Sequence, residues 1–290
     1  MKLAFIGLGA MGFPMAGYLQ QAGYAVTVYN RTLEKAEQWQ HKYQGATAPT
    51  PKDAAVNADV VLMCVGNDDD VRSVVYGEQG VLASLSPNSI LIDHTTTSAE
   101  LARELYKACS SQNAHFLDAP VSGGQAGAEN GKLTVMLGGN NSVYQKVTSI
   151  LDCYSQKHEL MGNVGSGQLT KMVNQICIAG VLQGLSEAIS FAENADLDVE
   201  KVINVISKGA AQSWQMENRW QTMHHNEFNF GFAIDWMRKD LDIVLNEAKR
   251  NASTLPLTAM VDQFYAQVQA NGGNRYDTSA LITLLNRRSK

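Results

Sequence analysis

Hydrophobic positions change rhythm about half-way along this chain. In the first half, short unbroken apolar runs recur between longer mixed stretches. Leu3-Ala4-Phe5-Ile6, Val60-Val61-Leu62-Met63-Cys64-Val65, Ser89-Ile90-Leu91-Ile92-Asp93, His115-Phe116-Leu117-Asp118 and Leu133-Thr134-Val135-Met136-Leu137 are such runs. Each predicts a strand buried on both faces, as parallel strands are. Ala25-Val26-Thr27-Val28-Tyr29 is rich in β-formers and predicts another. The intervening stretches, including 98–110 and 142–151, predict helices, and the alternation is the βαβ rhythm of a doubly wound sheet.

The second half reads differently. From Gly167 to about Ala195 runs a proline-free helical segment with apolar residues on nearly all faces: Leu169, Met172, Val173, Ile176, Cys177, Val181, Leu182, Leu185, Ile189 and Phe191. At 1.5 Å per residue it spans on the order of 40 Å. A helix this apolar is expected to be buried, between two domains or against another subunit. Further helices are predicted near 198–208, 212–224, 233–250, 256–271 and 278–288, with Gln269-Ala270-Asn271-Gly272-Gly273-Asn274 as a helix end and loop. The expected fold is an α/β Rossmann-like N-terminal domain over 1–163, a long central helix over 164–195, and an all-α C-terminal domain over 196–290.

Composition narrows the class. The chain has 290 residues, 45% hydrophobic and 18% charged, with a net charge of -5. That describes a soluble globular protein with no general attraction to nucleic acid or anionic membranes. No apolar run reaches the roughly 18 residues of a membrane helix, and the N-terminus opens on a strand rather than a signal pattern. Cys64, Cys109, Cys153 and Cys177 are scattered, with Cys64 and Cys177 expected as buried thiols. Metal and disulfides are not expected, and a reducing, cytoplasmic home fits. His224-His225 reads as helix surface rather than a metal site.

Candidate chemistry begins at Gly7-Leu8-Gly9-Ala10-Met11-Gly12, between the first strand and a helical pattern through Met15, Ala16 and Leu19. The G-x-G-x-x-G spacing there cradles a dinucleotide pyrophosphate. The helix N-terminus adds free N–H groups and a positive dipole end. About 20 residues on, an NAD-binding protein usually places an acid for the ribose 2′-hydroxyl. This chain has Asn30-Arg31-Thr32 instead, and Glu34 comes too late. Arg31 suits a 2′-phosphate and can stack on adenine, so NADP(H) is expected over NAD(H). In an α/β sheet, ligands lie at the carboxyl ends of the strands. The glycine loop, Asn30-Arg31-Thr32, the turn after Val65, Thr95-Thr96 and Ala119-Pro120-Val121-Ser122 are therefore expected to line one crevice.

Three further motifs carry chemistry. Asp118-Ala119-Pro120-Val121-Ser122-Gly123-Gly124 offers a hydroxyl and adjacent backbone N–H groups, which suit a carboxylate. Gly165-Ser166-Gly167-Gln168-Leu169-Thr170-Lys171-Met172-Val173-Asn174-Gln175 sets Lys171, Asn174 and Gln175 on one face of the long helix. A lysine turned inward on so apolar a helix is costly unless paired or functional. Trp236-Met237-Arg238-Lys239-Asp240-Leu241 opens a later helix.

With these four motifs in this order the chain resembles the β-hydroxyacid dehydrogenase family, which includes 3-hydroxyisobutyrate dehydrogenases, tartronate semialdehyde reductases and plant glyoxylate/succinic semialdehyde reductases. The resemblance covers essentially the whole chain and implies a Rossmann domain, a long helix and an all-α domain, in homodimers or homotetramers. It implies Lys171 as proton donor and acceptor, and Thr96 and Lys239 at the nicotinamide half of the cofactor. It implies Ser122, Gly123 and Gly124 at the substrate carboxylate, with Phe232 and Asp240 bordering the site. One position departs: the family usually carries Asn four residues after the lysine, where this chain has Gln175, with Asn174 just before it.

The chemistry follows from charge. As hydride adds to a carbonyl carbon, a Lys171 ammonium stabilises the growing negative oxygen and then gives up its proton. The reverse oxidation needs neutral Lys171 and is expected to improve at alkaline pH. The leading expectation is NADP(H)-dependent interconversion of a small carboxylate-bearing semialdehyde, such as glyoxylate, succinic or tartronate semialdehyde, and its hydroxyacid. The alternatives are an NAD(P)-dependent 3-hydroxyisobutyrate or serine dehydrogenase, and a non-catalytic cofactor-binding module. Imine reduction on a related fold normally shows another residue at the lysine position. Trp214 and Trp220 are candidates for lining the pocket or for packing the core.

Overall fold

A computed structural model describes residues 1–286. The chain divides into two compact units between Lys171 and Met172.

The first unit carries nine strands: β1 (Lys2–Ile6), β2 (Ala25–Tyr29), β3 (Ala46–Thr47), β4 (Val60–Met63), β5 (Ile90–Asp93), β6 (His115–Asp118), β7 (Val121–Ser122), β8 (Leu133–Gly139) and β9 (Ser155–Gly162). Its helices are α1 (Gly12–Gln21), α2 (Leu33–Tyr43), α3 (Pro51–Ala55), α4 (Asp68–Val75), α5 (Ala99–Ser110), α6 (Gly124–Glu129) and α7 (Asn141–Leu151). The strands form one sheet in the order β3-β2-β1-β4-β5-β6-β8-β7, with β9 beside β8. From β3 to β6 all neighbours are parallel; β8 runs antiparallel to β6 and β7.

Side-chain alternation explains why the sheet needs cover on both faces. Leu3 and Phe5 of β1 join Leu62, Ile92 and Leu117 in a core capped by Met15 and Leu19 of α1, Trp39 of α2 and Val147 of α7. Ala4 and Ile6 point the other way, into a core with Val61, Met63, Val71 and Val75 of α4, and Leu101 and Leu105 of α5. The register lines up the strand ends: Ile6 pairs with Tyr29 and Met63, Met63 with Asp93, and Asp93 with Asp118. The residues just past these ends form one edge, where the glycine loop, Asn30-Arg31-Thr32, Val65 and Thr96 follow β1, β2, β4 and β5.

The division falls inside α8 (Ser166–Asn194). Beyond it lie α9 (Val199–Ile206), α10 (Trp214–His225), α11 (Ile234–Asn251) and α12 (Pro256–Ala270), then a 3-10 helix over Thr278–Leu284. Leu182, Leu185 and Ile189 of α8 share a core with Met223, Met237, Leu241, Val261 and Tyr265. The expected helix over 278–288 is replaced by that 3-10 segment as far as Leu284, and residues 287 and 288 lie outside the described residues. Tyr265 Oη donates to the Thr278 carbonyl at 3.1 Å, so the segment is tied side-on to α12 rather than continuing as α-helix.

Two expectations need correction, those for the cysteines and for membrane-length helices. Within this chain the long helix has an open side: Val173 is 59% and Phe191 71% exposed, and Val181 is exposed too. The core of the second unit covers only one side of it. Cys177 shares the open side and is exposed, while Cys64 is only partly buried. Finally, α8 is long and apolar enough to cross a membrane by length and composition, with a mean hydropathy of 1.3, although half of that window is buried in the fold. The apolar positions are interrupted by polar ones, so no unbroken run announces it.

Candidate active site

The glycine loop is built by close backbone approach. Gly7 has φ +95°, and a Cβ on it would lie 2.3 Å from the Cys64 carbonyl oxygen. A Cβ on Gly12 would lie 2.0 Å from the carbonyl oxygen of Gly7. Gly9 is different, since a Cβ there would meet nothing within 4 Å. Two glycines thus fold the turn, and the third leaves its outer surface open. No side chain caps α1 and its first turn holds no acid; Phe13 N and Met15 N donate to the Gly9 and Met11 carbonyls and Pro14 has no N–H, so what this turn offers an anion is chiefly the positive end of the helix dipole. Leu8 and Ala10 ride on this turn. A dinucleotide pyrophosphate fits these residues.

At the end of β2, Asn30 ties two loops together. Its Oδ1 accepts from Leu8 N at 2.9 Å and its Nδ2 donates to the Thr32 carbonyl at 2.9 Å. Thr32 precedes α2 without capping it. Arg31 reaches outward, 86% exposed, with Nη1 3.3 Å from Asp70 Oδ1. Past β4, Val65 N donates to Thr95 Oγ1 at 3.0 Å.

The turn after β5 is held by three buried groups. Asp93 Oδ1 accepts from Thr95 N at 2.9 Å. Burial pushes the Asp93 carboxyl up to about 7; the Thr95 bonds pull it down and the neighbouring Asp118 charge pushes it further up. Burial pushes the His94 imidazole down to about 4, which leaves it neutral. His94 Nδ1 therefore donates to the Ala119 carbonyl at 2.7 Å, and Nε2 accepts from Tyr154 Oη at 3.0 Å. Thr96 follows on this turn, partly buried.

Asp118, at the end of β6, takes the place of a helix cap for α8. Its Oδ1 accepts from Gly165 N at 2.7 Å and its Oδ2 from Gln168 N at 3.0 Å. Burial raises this carboxyl, and those backbone bonds lower it. A Cβ on Gly167 would lie 2.4 Å from the Met136 carbonyl oxygen, which is why a glycine starts the helix here. Gln168 completes the clamp, donating to the Thr95 carbonyl at 2.7 Å and accepting from Thr97 N at 3.1 Å. Lys171 stands one turn further on, only 7% exposed. Ser122 ends β7, and Gly123 and Gly124 open α6 with φ +130° and +60°.

The second unit gathers its own set. Asn174 Nδ2 donates to Gln175 Oε1 at 2.8 Å, and Gln175 Nε2 donates to Asp240 Oδ2 at 2.6 Å. Asp240 is buried, with the Lys239 ammonium 3.0 Å from its Oδ1. Phe232 packs on the core of this unit, and its N donates to Asp277 Oδ2 at 2.9 Å. Trp220 packs on the same core, whereas Trp214 is 52% exposed under the Arg219 guanidinium.

Two sequence families together cover residues 2–285. The NAD binding domain of 6-phosphogluconate dehydrogenase matches residues 2–165, and the NAD-binding region of NADP-dependent 3-hydroxyisobutyrate dehydrogenase matches 165–285. The chain belongs to the β-hydroxyacid dehydrogenase family. It is an NAD(P)-dependent oxidoreductase of the hydroxyacid dehydrogenase kind. An uncharacterized oxidoreductase of Shewanella frigidimarina is 62% identical over 284 residues, 98% of each chain. The 2-hydroxy-3-oxopropionate reductase of Escherichia coli is 33% identical, covering 98% of this chain and 97% of its own. Among solved structures, the Mycobacterium tuberculosis 3-hydroxyisobutyrate dehydrogenase with L-serine has a TM-score of 0.89 at 29% identity, covering 98% of this chain and 99% of its own.

In this dehydrogenase the Gln175 amide is engaged with Asp240 and Asn174, an arrangement its extra methylene allows. Sequence reasoning named Lys171 but not its anchors. Asp118 and Gln168 both sat inside motifs already singled out; the available signal was the cost of burying a carboxylate, which demands donors nearby. Asp70 also escaped notice, since its partner Arg31 lies 39 positions away.

Proposed function

We propose that this dehydrogenase reduces a small carboxylate-bearing semialdehyde of the glyoxylate, succinic or tartronate type with NADPH, and oxidises the hydroxyacid in reverse. The observation that carries the reading is Lys171, buried on a helix turn clamped to the carboxyl edge of the sheet. The nicotinamide, when bound, supplies or accepts the hydride. Lys171 holds its ammonium toward the carbonyl oxygen, stabilises the charge that grows there and transfers the proton. Ser122, Gly123 and Gly124 take the substrate carboxylate. Asn174, Gln175, Phe232 and Asp240 shape the substrate end; Val65, Thr96 and Lys239 face the cofactor. NADP(H) is favoured because β2 ends on Asn30-Arg31-Thr32 with an extended guanidinium and no acid.

The name of the Escherichia coli relative supports the semialdehyde side of the equilibrium. The L-serine in the Mycobacterium tuberculosis structure favours a second reading, oxidation of serine or 3-hydroxyisobutyrate. Initial rates with NADPH and NADH against a panel of C2–C5 semialdehydes, and with NADP+ against 3-hydroxyacids, separate them. The proposal requires higher kcat/KM with NADPH and with an acid-bearing aldehyde. Preference for NADH removes the cofactor assignment, and no turnover in either direction leaves a non-catalytic module.

The exposed apolar line of α8, with Val173, Val181 and Phe191 among its members, supports a homodimer or homotetramer. Phe191→Asp is expected to lower the mass seen by light scattering; an unchanged mass contradicts that contact. Four cysteines, none of them in a disulfide, fit a reducing cytoplasm.

A further inference from the structure

Arg31, which carries the NADP(H) assignment, already has an anionic partner. Its Nη1 stands 3.3 Å from Asp70 Oδ1. Asp70 belongs to the acidic first turn of α4, Asp68-Asp69-Asp70. The other two carboxylates are directed elsewhere. Asp68 accepts from Ser98 N at 3.1 Å and from Ser98 Oγ at 2.6 Å, while Asp69 lies 3.7 Å from Arg72. The backbone of Asp70 is fixed by Asn67, whose side chain accepts from Asp70 N at 2.8 Å. The sheet order explains the meeting: β4 lies two strands from β2, so the turn after β4 opens toward the turn after β2. The acid that the sequence lacks at the end of β2 is thus delivered beside Arg31 from another element.

We infer that Asp70 is a second determinant of cofactor selection, acting through Arg31. The inference rests on the NADP(H) assignment. Without a 2′-phosphate, Asp70 occupies the guanidinium. A 2′-phosphate must displace that carboxylate before it can take the guanidinium, and so gives up the ion pair it replaces. NAD(H) offers a neutral hydroxyl and leaves the ion pair intact. Asp70 therefore weakens NADP(H) without weakening NAD(H), and the enzyme is less selective than Arg31 alone would make it. The pair is solvent-exposed, so the expected effect is modest, about two- to fivefold in affinity.

Fluorescence titration of NADPH and NADH at fixed ionic strength tests this, with calorimetric titration of 2′,5′-ADP and 5′-AMP as probes free of the nicotinamide. Asp70→Asn keeps the shape and the backbone donor to Asn67. It is expected to tighten NADPH and 2′,5′-ADP about two- to fivefold, with NADH and 5′-AMP unchanged. In an Arg31→Ala background the same substitution is expected to change nothing. A silent Asp70→Asn, equal tightening of NADH, or a gain that persists without Arg31 overturns the inference. Arg31→Ala alone separates the two claims. It is expected to weaken NADPH about tenfold or more. If it does not, the cofactor assignment fails and this inference with it; if it does while Asp70→Asn is silent, only the inference fails.

Discussion

Two places along the carboxyl edge of the sheet are held in opposite ways. The start of α8, which leads to Lys171, is fixed by buried groups: Asp118 on two backbone N–H donors and Gln168 across Thr95 and Thr97. The turn after β2 ends in an arginine that is 86% exposed and tied by one ion pair. Buried polar bonds are costly to break, because the group left behind has no water to turn to. Exposed pairs exchange with solvent at little cost. The position assigned to proton transfer is therefore rigid by construction, and the position assigned to cofactor choice is adjustable.

That contrast can be broken from its strong side first. Asp118→Ala strips the partner from two buried N–H groups and is expected to cost about 2–4 kcal/mol. Chemical denaturation reads it, and kcat is expected to fall along with stability. Gln168→Leu keeps the volume but strands the Thr95 carbonyl and the Thr97 N–H, for about 1–3 kcal/mol. Its signature is a fall in kcat with the NADPH dissociation constant unchanged. A fall in cofactor affinity alone would place Gln168 in the wrong half of the comparison. Gln175→Asn withdraws the amide from Asp240 by one methylene. Loss of one hydrogen bond to a carboxylate predicts about a tenfold or greater rise in substrate KM. The weak side responds least: Asp70→Asn, with its few-fold shift in NADPH affinity, closes the series.

Acid and base stability test the buried turn separately. The Asp93 carboxyl titrates near 7 in the fold and near 3.8 unfolded, so its contribution is full below 3.8 and is lost as pH rises through 7. His94 has the opposite sign: with a folded value near 4 against 6.5, its contribution is present above 6.5 and lost as pH falls through 4. The two oppose each other between about 4 and 6.5. Asp93→Asn, which keeps an acceptor for Thr95 N, is therefore expected to gain stability relative to the parent between pH 5 and pH 8. Denaturation midpoints at the two values show it; a constant difference would mean that Asp93 does not titrate as described.

Much of the frame was legible because buried parallel strands leave an unmistakable trace, and every apolar run named in the first half became a strand. Elements without that trace were missed. β9, Ser-Gln-Lys-His-Glu-Leu-Met-Gly, is largely exposed and reads as loop. β3 and β7 are two residues each, and the acidic opening of α4 disguises a helix whose buried face is Val71 and Val75. The apolar faces of α8 were legible but not which of them the chain itself covers, so Cys177 and Val173 lie exposed. In the site, local spacing revealed the glycine loop and the lysine. The partners that hold them, Asp118 to Gly165 and Arg31 to Asp70, are set by tertiary closure over 47 and 39 positions, which no local pattern encodes.

Proton transfer in the proposed reaction is assigned to Lys171 alone. Its most direct test is the turnover of Lys171→Ala at saturating NADPH, read beside the NADPH dissociation constant of the same variant. We expect kcat to fall by at least about 10²-fold while the dissociation constant stays within twofold of the parent. Retained turnover, or lost cofactor binding with kcat preserved at saturation, would contradict the assignment of proton transfer to this buried, clamped lysine.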